Sequence, residues 1–214
     1  MATRAVLALL VLLAGHGAGL SCLQLTDITI TSETQYNELS ALACTSLNAK
    51  LTLQPPDGVA STWQFPDLVS VQGLRVAVAG TTAGTTKLDA AFPQLQTVTR
   101  NVSLEATGFG TLQSLAAPKL QSVGNYLVVS ARNSGAIKNV SLAQPNATVG
   151  LSVVDNIEVT TLNSATVSLL QLQALVACKQ LQLQPVGYVV LRKKKKKEEE
   201  RKKGRKKDDR KKNE

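Results

Sequence analysis

The sequence predicts a mainly β protein: a single-stranded β-helix, or solenoid, of about six coils of ~25 residues with a short N-terminal capping helix. Three observations carry this. A Pro-x-Leu-x-x-Val phrase returns at Pro66/Leu68/Val71, Pro93/Leu95/Val98 and Pro118/Leu120/Val123, and the prolines at 66, 93, 118 and 145 lie 27, 25 and 27 residues apart. Alternating apolar pairs form a second series, Leu51/Leu53, Val76/Val78, Val102/Leu104, Leu127/Val129 and Leu151/Val153, spaced by 25, 26, 25 and 24, with Leu181/Leu183 after a longer step of 30. Leu68, Leu95, Leu120, Ala147 and Leu172 form a third, spaced by 27, 25, 27 and 25. A period between about 20 and 50 residues marks a solenoid, and alternation with period two marks strands rather than helices.

Length and charge bound the rest. The 214 residues hold one domain with flanking sequence, and 43 % apolar content suffices for a core. The net charge of +9 is local: residues 192–214 carry 15 Lys/Arg and 6 Asp/Glu, which leaves 9 of each sign for everything before them. The body is therefore neutral, and the chain divides into 1–19, 20–184 and 185–214.

Residues 1–19 read as a secretory signal peptide. Arg4 precedes the apolar run Ala5 to Ala14 and the small residues Gly15, Gly17, Ala18 and Gly19, with cleavage expected near Gly19. Ten apolar residues are too few to span a bilayer, so the expectation is a secreted or cell-surface protein with no transmembrane segment.

After it, Leu23 to Ile30 alternates as an opening strand. Ser32 and Gln35 form a capping-box arrangement, and Tyr36, Leu39 and Leu42 give one apolar stripe on a helix of roughly three turns, placed to lie across the open end of the solenoid. Cys22 and Cys44 flank this helix. Export places them in an oxidising compartment, where a Cys22–Cys44 disulfide is expected; two free buried thiols are the alternative. Cys178 is then left over, as a buried apolar residue or an interchain partner.

Within each coil, proline belongs at a corner just before a strand, because it has no amide to donate. Gly73, Gly124 and Asn125 lie where the chain must bend. A further apolar segment, such as Leu112 and Leu115 before Pro118, gives each coil three short faces. The stretches 79–86 and 132–135 read as outward loops.

The arrangement of Cys22, helix and Cys44 leading into Leu47, Leu51 and Leu53 resembles the receptor L-domain family of insulin- and epidermal-growth-factor-type receptors. It is also similar to the related repeats of fungal cell-wall GPI-anchored proteins. Phe65-Pro66, Leu68, Val71 and Gly73, then Phe92-Pro93, Leu95 and Val98, then Pro118, Leu120, Val123, Gly124, Leu127 and Val129 match that family's phrases. The resemblance covers about Cys22 to Leu183 and implies a right-handed, leucine-rich-repeat-like β-helix. It further implies a non-catalytic recognition or structural module whose partner is a protein or a glycan. Such L domains usually end in paired cysteines, whereas Cys178 has no visible partner.

Three sequons, at Asn101, Asn139 and Asn146, read as glycosylation sites of a secreted glycoprotein. A carbohydrate-active β-helix enzyme would need clustered carboxylates. Only Asp155 and Glu158 come close, and three apart on a strand they face opposite sides. The one histidine, His16, lies in the signal, so no histidine-based nucleophile pair is available. The sequence therefore nominates no catalytic, cofactor or metal residues. Trp63 reads as packing rather than a sugar platform, and no aromatic interleaves with a basic run, which argues against nucleic acid. The basic tail, 185–214, reads as disordered or a frayed charged helix, either an arm for anionic polysaccharide or low-complexity sequence without a folded role.

Overall fold

The computed structural model describes residues 21–22, 27–142, 151–153, 155–162, 166–175, 180–183 and 189–193. Parallel strands wind into a β-solenoid of about five turns with one short helix. Each turn lays one strand segment on each of three faces.

The first face stacks β1 (Ser21–Cys22), the start of β3 (Ser46–Leu53), the start of β5 (Ser70–Gly80), β7 (Thr97–Val98), β10 (Ser122–Val123) and β13 (Ser152–Val153). Its inward column is Cys22, Leu47, Val71, Val98, Val123 and Val153, all buried. Its outward column is a hydroxyl ladder: Ser46 and Ser70 oxygens lie 2.7 Å apart, and Ser122 Oγ donates to Thr97 Oγ1 at 3.4 Å. Each such cross-strand pair contributes roughly 0.2–1 kcal/mol.

The second face stacks β2 (Ile28–Ile30), the ends of β3 and β5, β8 (Val102–Gly108), β11 (Leu127–Arg132), β14 (Asn156–Leu162) and β16 (Gln180–Leu183). The third stacks β4 (Ala60–Gln64), β6 (Lys87–Ala91), β9 (Thr111–Ala117), β12 (Ala136–Leu142), β15 (Thr166–Leu175) and β17 (Val189–Lys193). Side chains largely alternate between the interior and the surface along the described strands, as in β8, where Val102, Leu104 and Ala106 are buried. Leu51, Leu53, Val76, Leu104, Val129, Leu112 and Val140 meet in one core.

The corners follow from local chemistry. A side chain at Gly124 would collide with the Thr99 carbonyl oxygen one coil below, so this bend admits only glycine. The turn after β11 places Asn133 and Ser134 at φ 51° and 66°. The loop after β5 is tied to the coil before it through Asp57, which accepts from the Thr81 amide at 3.1 Å, from Thr86 Oγ1 at 2.7 Å and from the Thr81 hydroxyl. These bonds, the Thr81 and Thr86 hydroxyls foremost, hold its carboxyl down at about 2.

The N-terminal end is capped by α1 (Glu33–Ala41). Ser32 Oγ accepts from the Gln35 amide at 3.3 Å, and Gln35 Oε1 reaches back to the Thr31 amide at 2.7 Å, one residue earlier than a simple capping box would place it. Tyr36, half-buried on this helix, stacks on Trp63 at 6.1 Å and meets Phe65 edge-on at 5.6 Å, and Phe65 stacks on Phe92 at 5.0 Å. Trp63 is fully buried and donates from Nε1 to Glu33 Oε2 at 3.0 Å. Cys22 and Cys44 form a disulfide with Cα atoms 5.8 Å apart, fastening β1 to the end of the helix.

Three expectations about register are corrected. The residues beside Leu51/Leu53 and Val102/Leu104 are Leu74/Val76, two positions before Val76/Val78. Leu151/Val153 belongs to the first face beside Val123, and the second-face rung above Leu127/Val129 is Ile157/Val159. Leu172 lies in β15 beside Leu142 on the third face, not at a corner with Leu120. The coils measured from Leu51 to Leu74, Val102, Leu127, Ile157 and Leu181 are 23, 28, 25, 30 and 24 residues long. The expected tail boundary at 185 also moves, because Val189–Lys193 forms β17 on the edge of β15. The apolar run Val189, Val190 and Leu191, with two β-branched valines, favours that pairing. The signal 1–19, Asn146, Cys178 and residues 194–214 lie outside the described residues.

Candidate recognition cleft

Between the first and second faces, the chain turns a corner. In three coils three residues make this turn, from Leu47 to Leu51, Val98 to Val102 and Val123 to Leu127. In the coil of β5 only two do, Gln72 and Gly73, between Val71 and Leu74. One residue is missing from the stack there, and one of the two that remain has no side chain. The result is a notch in the corner, a cleft of about 240 Å³.

Gly73 forms its floor; a Cβ there would sit 3.4 Å from Lys50 Cγ, so any larger side chain would grow into the opening. Lys50 from β3 stands on one side, with Asp27 at the rim. Arg100 and Asn101, from the turn between β7 and β8, stand on the other, with Tyr126 from the next coil beyond them.

The backbone beneath is fixed. The Arg100 amide donates to the Gln72 carbonyl at 2.7 Å, Leu74 to Asn101 at 2.9 Å, Val102 to Tyr126 at 3.0 Å and Asn125 to Arg100 at 2.9 Å. The cleft walls are thus carried by sheet-like hydrogen bonds between coils, which fix the backbone positions from which their side chains project.

The charges in the cleft divide into committed and uncommitted. Arg75 is bound to Glu105 through Nε at 3.3 Å and Nη2 at 2.8 Å, and Ser103 Oγ donates to Glu105 Oε1 at 2.8 Å. The hydrogen bond to Glu105 raises the Arg75 pKa. Burial pushes the Glu105 carboxyl up, but the hydrogen bonds from Arg75 and Ser103 and the positive charges of Arg75 and Arg132 outweigh it, so its pKa is lowered. Asp27 accepts from the Lys50 amide at 3.2 Å. Among the described residues, the heads of Lys50 and Arg100 make no hydrogen bond or ion pair, and Tyr126 is 43 % exposed with its hydroxyl unbonded. Asn101 Oδ1 is enclosed and has no hydrogen-bond partner, at a cost of about 1–3 kcal/mol.

The cleft therefore offers the Lys50 and Arg100 cations, opposed by the single carboxylate of Asp27, together with an aromatic face and the Gln72 amide. No family model, curated protein or solved structure matches the chain, so the chemistry of this cleft is read from its own residues.

Of the residues expected to matter, Asn101 falls in the cleft wall, half-buried, while Asn139 is exposed in the middle of β12 beside Ser114. Asp155 is half-buried at the entry to β14, and Glu158 points outward from that strand. Among the described residues, no group of three or more His, Cys, Asp or Glu could hold a metal ion. No helix among them is long and apolar enough to cross a membrane. Lys50, Arg100 and Tyr126 were not singled out by the sequence, because they belong to three different coils. The signal that could have found them is the shortened corner, Val71-Gln72-Gly73-Leu74 against Val98-Thr99-Arg100-Asn101-Val102.

Proposed function

We propose that this chain is a secreted or cell-surface recognition module of the receptor L-domain type, which binds a protein or glycan partner through the loops and outer faces of its solenoid and does so without catalysis. The observation that carries this reading is the rigid cleft with its uncommitted Lys50, Arg100 and Tyr126. Lys50, Arg100 and Tyr126 line one cleft and have no hydrogen-bond or ion-pair partner among the described residues, which leaves them available to a ligand. The disulfide-fastened helical cap and the recurring Pro-x-Leu-x-x-Val corners support the L-domain resemblance. Asn139, exposed on the third face, is placed to carry a glycan without touching the cleft.

A second reading, a component that organises a cell wall or extracellular matrix, draws on the uncharged hydroxyl ladder of Ser46, Ser70, Thr97, Ser122 and Ser152, a flat repeating surface suited to an extended polymer.

The test is retention of the labelled full chain on glycan arrays and on cell surfaces. Retention should fall in an Arg100→Ala/Tyr126→Ala double variant with unchanged thermal midpoint. Equal retention removes the cleft from the reading. Release of reducing ends from an acidic polysaccharide, lost on changing Asp155 or Glu158, would overturn the non-catalytic part.

A further inference from the structure

Resting on the recognition reading, we infer that the cleft at Gly73 is a subsite for a carboxylated sugar, with the carboxylate between Lys50 and Arg100 and the ring against Tyr126. Size, charge and shape each restrict the ligand. At about 240 Å³ the notch is smaller than the roughly 300–1,000 Å³ of pockets that enclose drug-sized molecules, so it accepts one small unit and not a folded peptide segment.

Of the charged groups that line it, Arg75 is paired with Glu105, while Asp27 keeps its negative charge although one oxygen accepts from the Lys50 amide; Lys50 and Arg100 together outweigh it, so the lining stays net positive, most clearly at Arg100. A carboxylate satisfies a guanidinium with paired, charge-assisted hydrogen bonds, and a neutral hydroxyl does not. The exposed Tyr126 ring adds a flat apolar wall, suited to the C–H face of a pyranose and of no use to a small inorganic anion. Gln72 and Ser103 supply polar groups for sugar hydroxyls. A net positive lining, an aromatic wall and polar side chains within one notch select a ligand that is acidic, ringed and hydroxylated together.

The probe is glucuronate, with glucose and acetate as its neutral and ring-free counterparts, titrated into the full chain. The chain has three tyrosines, so Tyr126 ring signals can be assigned by Tyr126→Phe and followed by NMR. The monosaccharide cannot bridge the cleft and the basic tail, and the tail is present in every arm.

Saturable shifts of the Tyr126 signals are expected with glucuronate. They should weaken about tenfold in Arg100→Gln, the loss of one charge-assisted interaction. They should disappear in Gly73→Leu, which fills the notch. Equal response to acetate would reduce the site to a simple anion site, and equal response to glucose would remove the role of charge; either overturns the inference. If glucuronate is silent while surface retention still depends on Arg100 and Tyr126, the sugar assignment falls and the recognition reading stands. If the sugar shifts persist without surface retention, the subsite stands and the recognition reading falls.

Discussion

Tyr36 and Gln64 close the open edge of the solenoid: the phenol donates to the Gln64 carbonyl at 3.0 Å and accepts from the Gln64 amide at 3.1 Å. A solenoid end exposes unpaired backbone, an invitation to further strands. Here one side chain on the capping helix completes the last residue of β4 in both directions. Tyr36→Phe keeps the ring stack on Trp63 and removes only these bonds, so it should cost about 1–2 kcal/mol. Tyr36→Ala also loses the ring contacts and should cost roughly 3 kcal/mol or more. The urea midpoints of the two variants measure the difference, and equal midpoints would show that the hydroxyl alone sets the cap.

The cap also depends on its covalent tie. Cys22 and Cys44 are separated by 22 positions, and closing a loop of that size stabilises the fold by about 3 kcal/mol through the unfolded chain. Cys44→Ser should lower the midpoint accordingly and should raise amide exchange first in β1, β2 and α1, with the coils from β8 to β12 affected least. Uniform exchange across the chain would mean that the cap and the coils unfold as one unit.

How far the sequence revealed this architecture depends on what alternation can distinguish. Leu74, Val76 and Val78 all point inward, so a register two residues out still buries every apolar side chain; period two fixes the face and leaves the rung open. The same ambiguity exchanged Leu151/Val153 for Ile157/Val159, whose coil is 30 residues long rather than about 25. The helix was plainer, because Ser32, Gln35, Tyr36 and Leu39 are neighbours in sequence as well as in space. The cleft is the opposite case. Lys50, Arg100 and Tyr126 meet only because the coils stack, and the notch exists only because one corner is a residue short.

That shortened corner gives a prediction independent of any ligand. Restoring the missing residue, by inserting alanine between Gln72 and Gly73, should make this corner match the three-residue turns at Thr99 to Asn101 and Gly124 to Tyr126. Stability should fall by about 1 kcal/mol, because the insertion lies between the buried Val71 and Leu74, while surface retention is lost. Gly124→Ala, at an equivalent corner, should instead cost several kcal/mol through the clash with Thr99. If the insertion destabilises as strongly as Gly124→Ala, the short corner is a requirement of the fold and not of the cleft.

The loop clasp at Asp57 should respond to acid in a defined window. Its carboxyl titrates at about 2 in the fold against an ordinary value of 3.8, held down first by the Thr81 and Thr86 hydroxyls. A depressed carboxyl pKa means that the clasp contributes fully above the ordinary value and loses its contribution as pH falls toward 2. The carboxyl is solvent-exposed, so the effect belongs to the loop and not to global stability. Carbon-detected NMR should place the Asp57 titration well below the ordinary carboxylate value. Thr86→Val should move it back toward 3.8 and make residues 81–86 more open to acid protease at pH 3. An Asp57 titration that ignores Thr86→Val would assign the clasp to Thr81 alone.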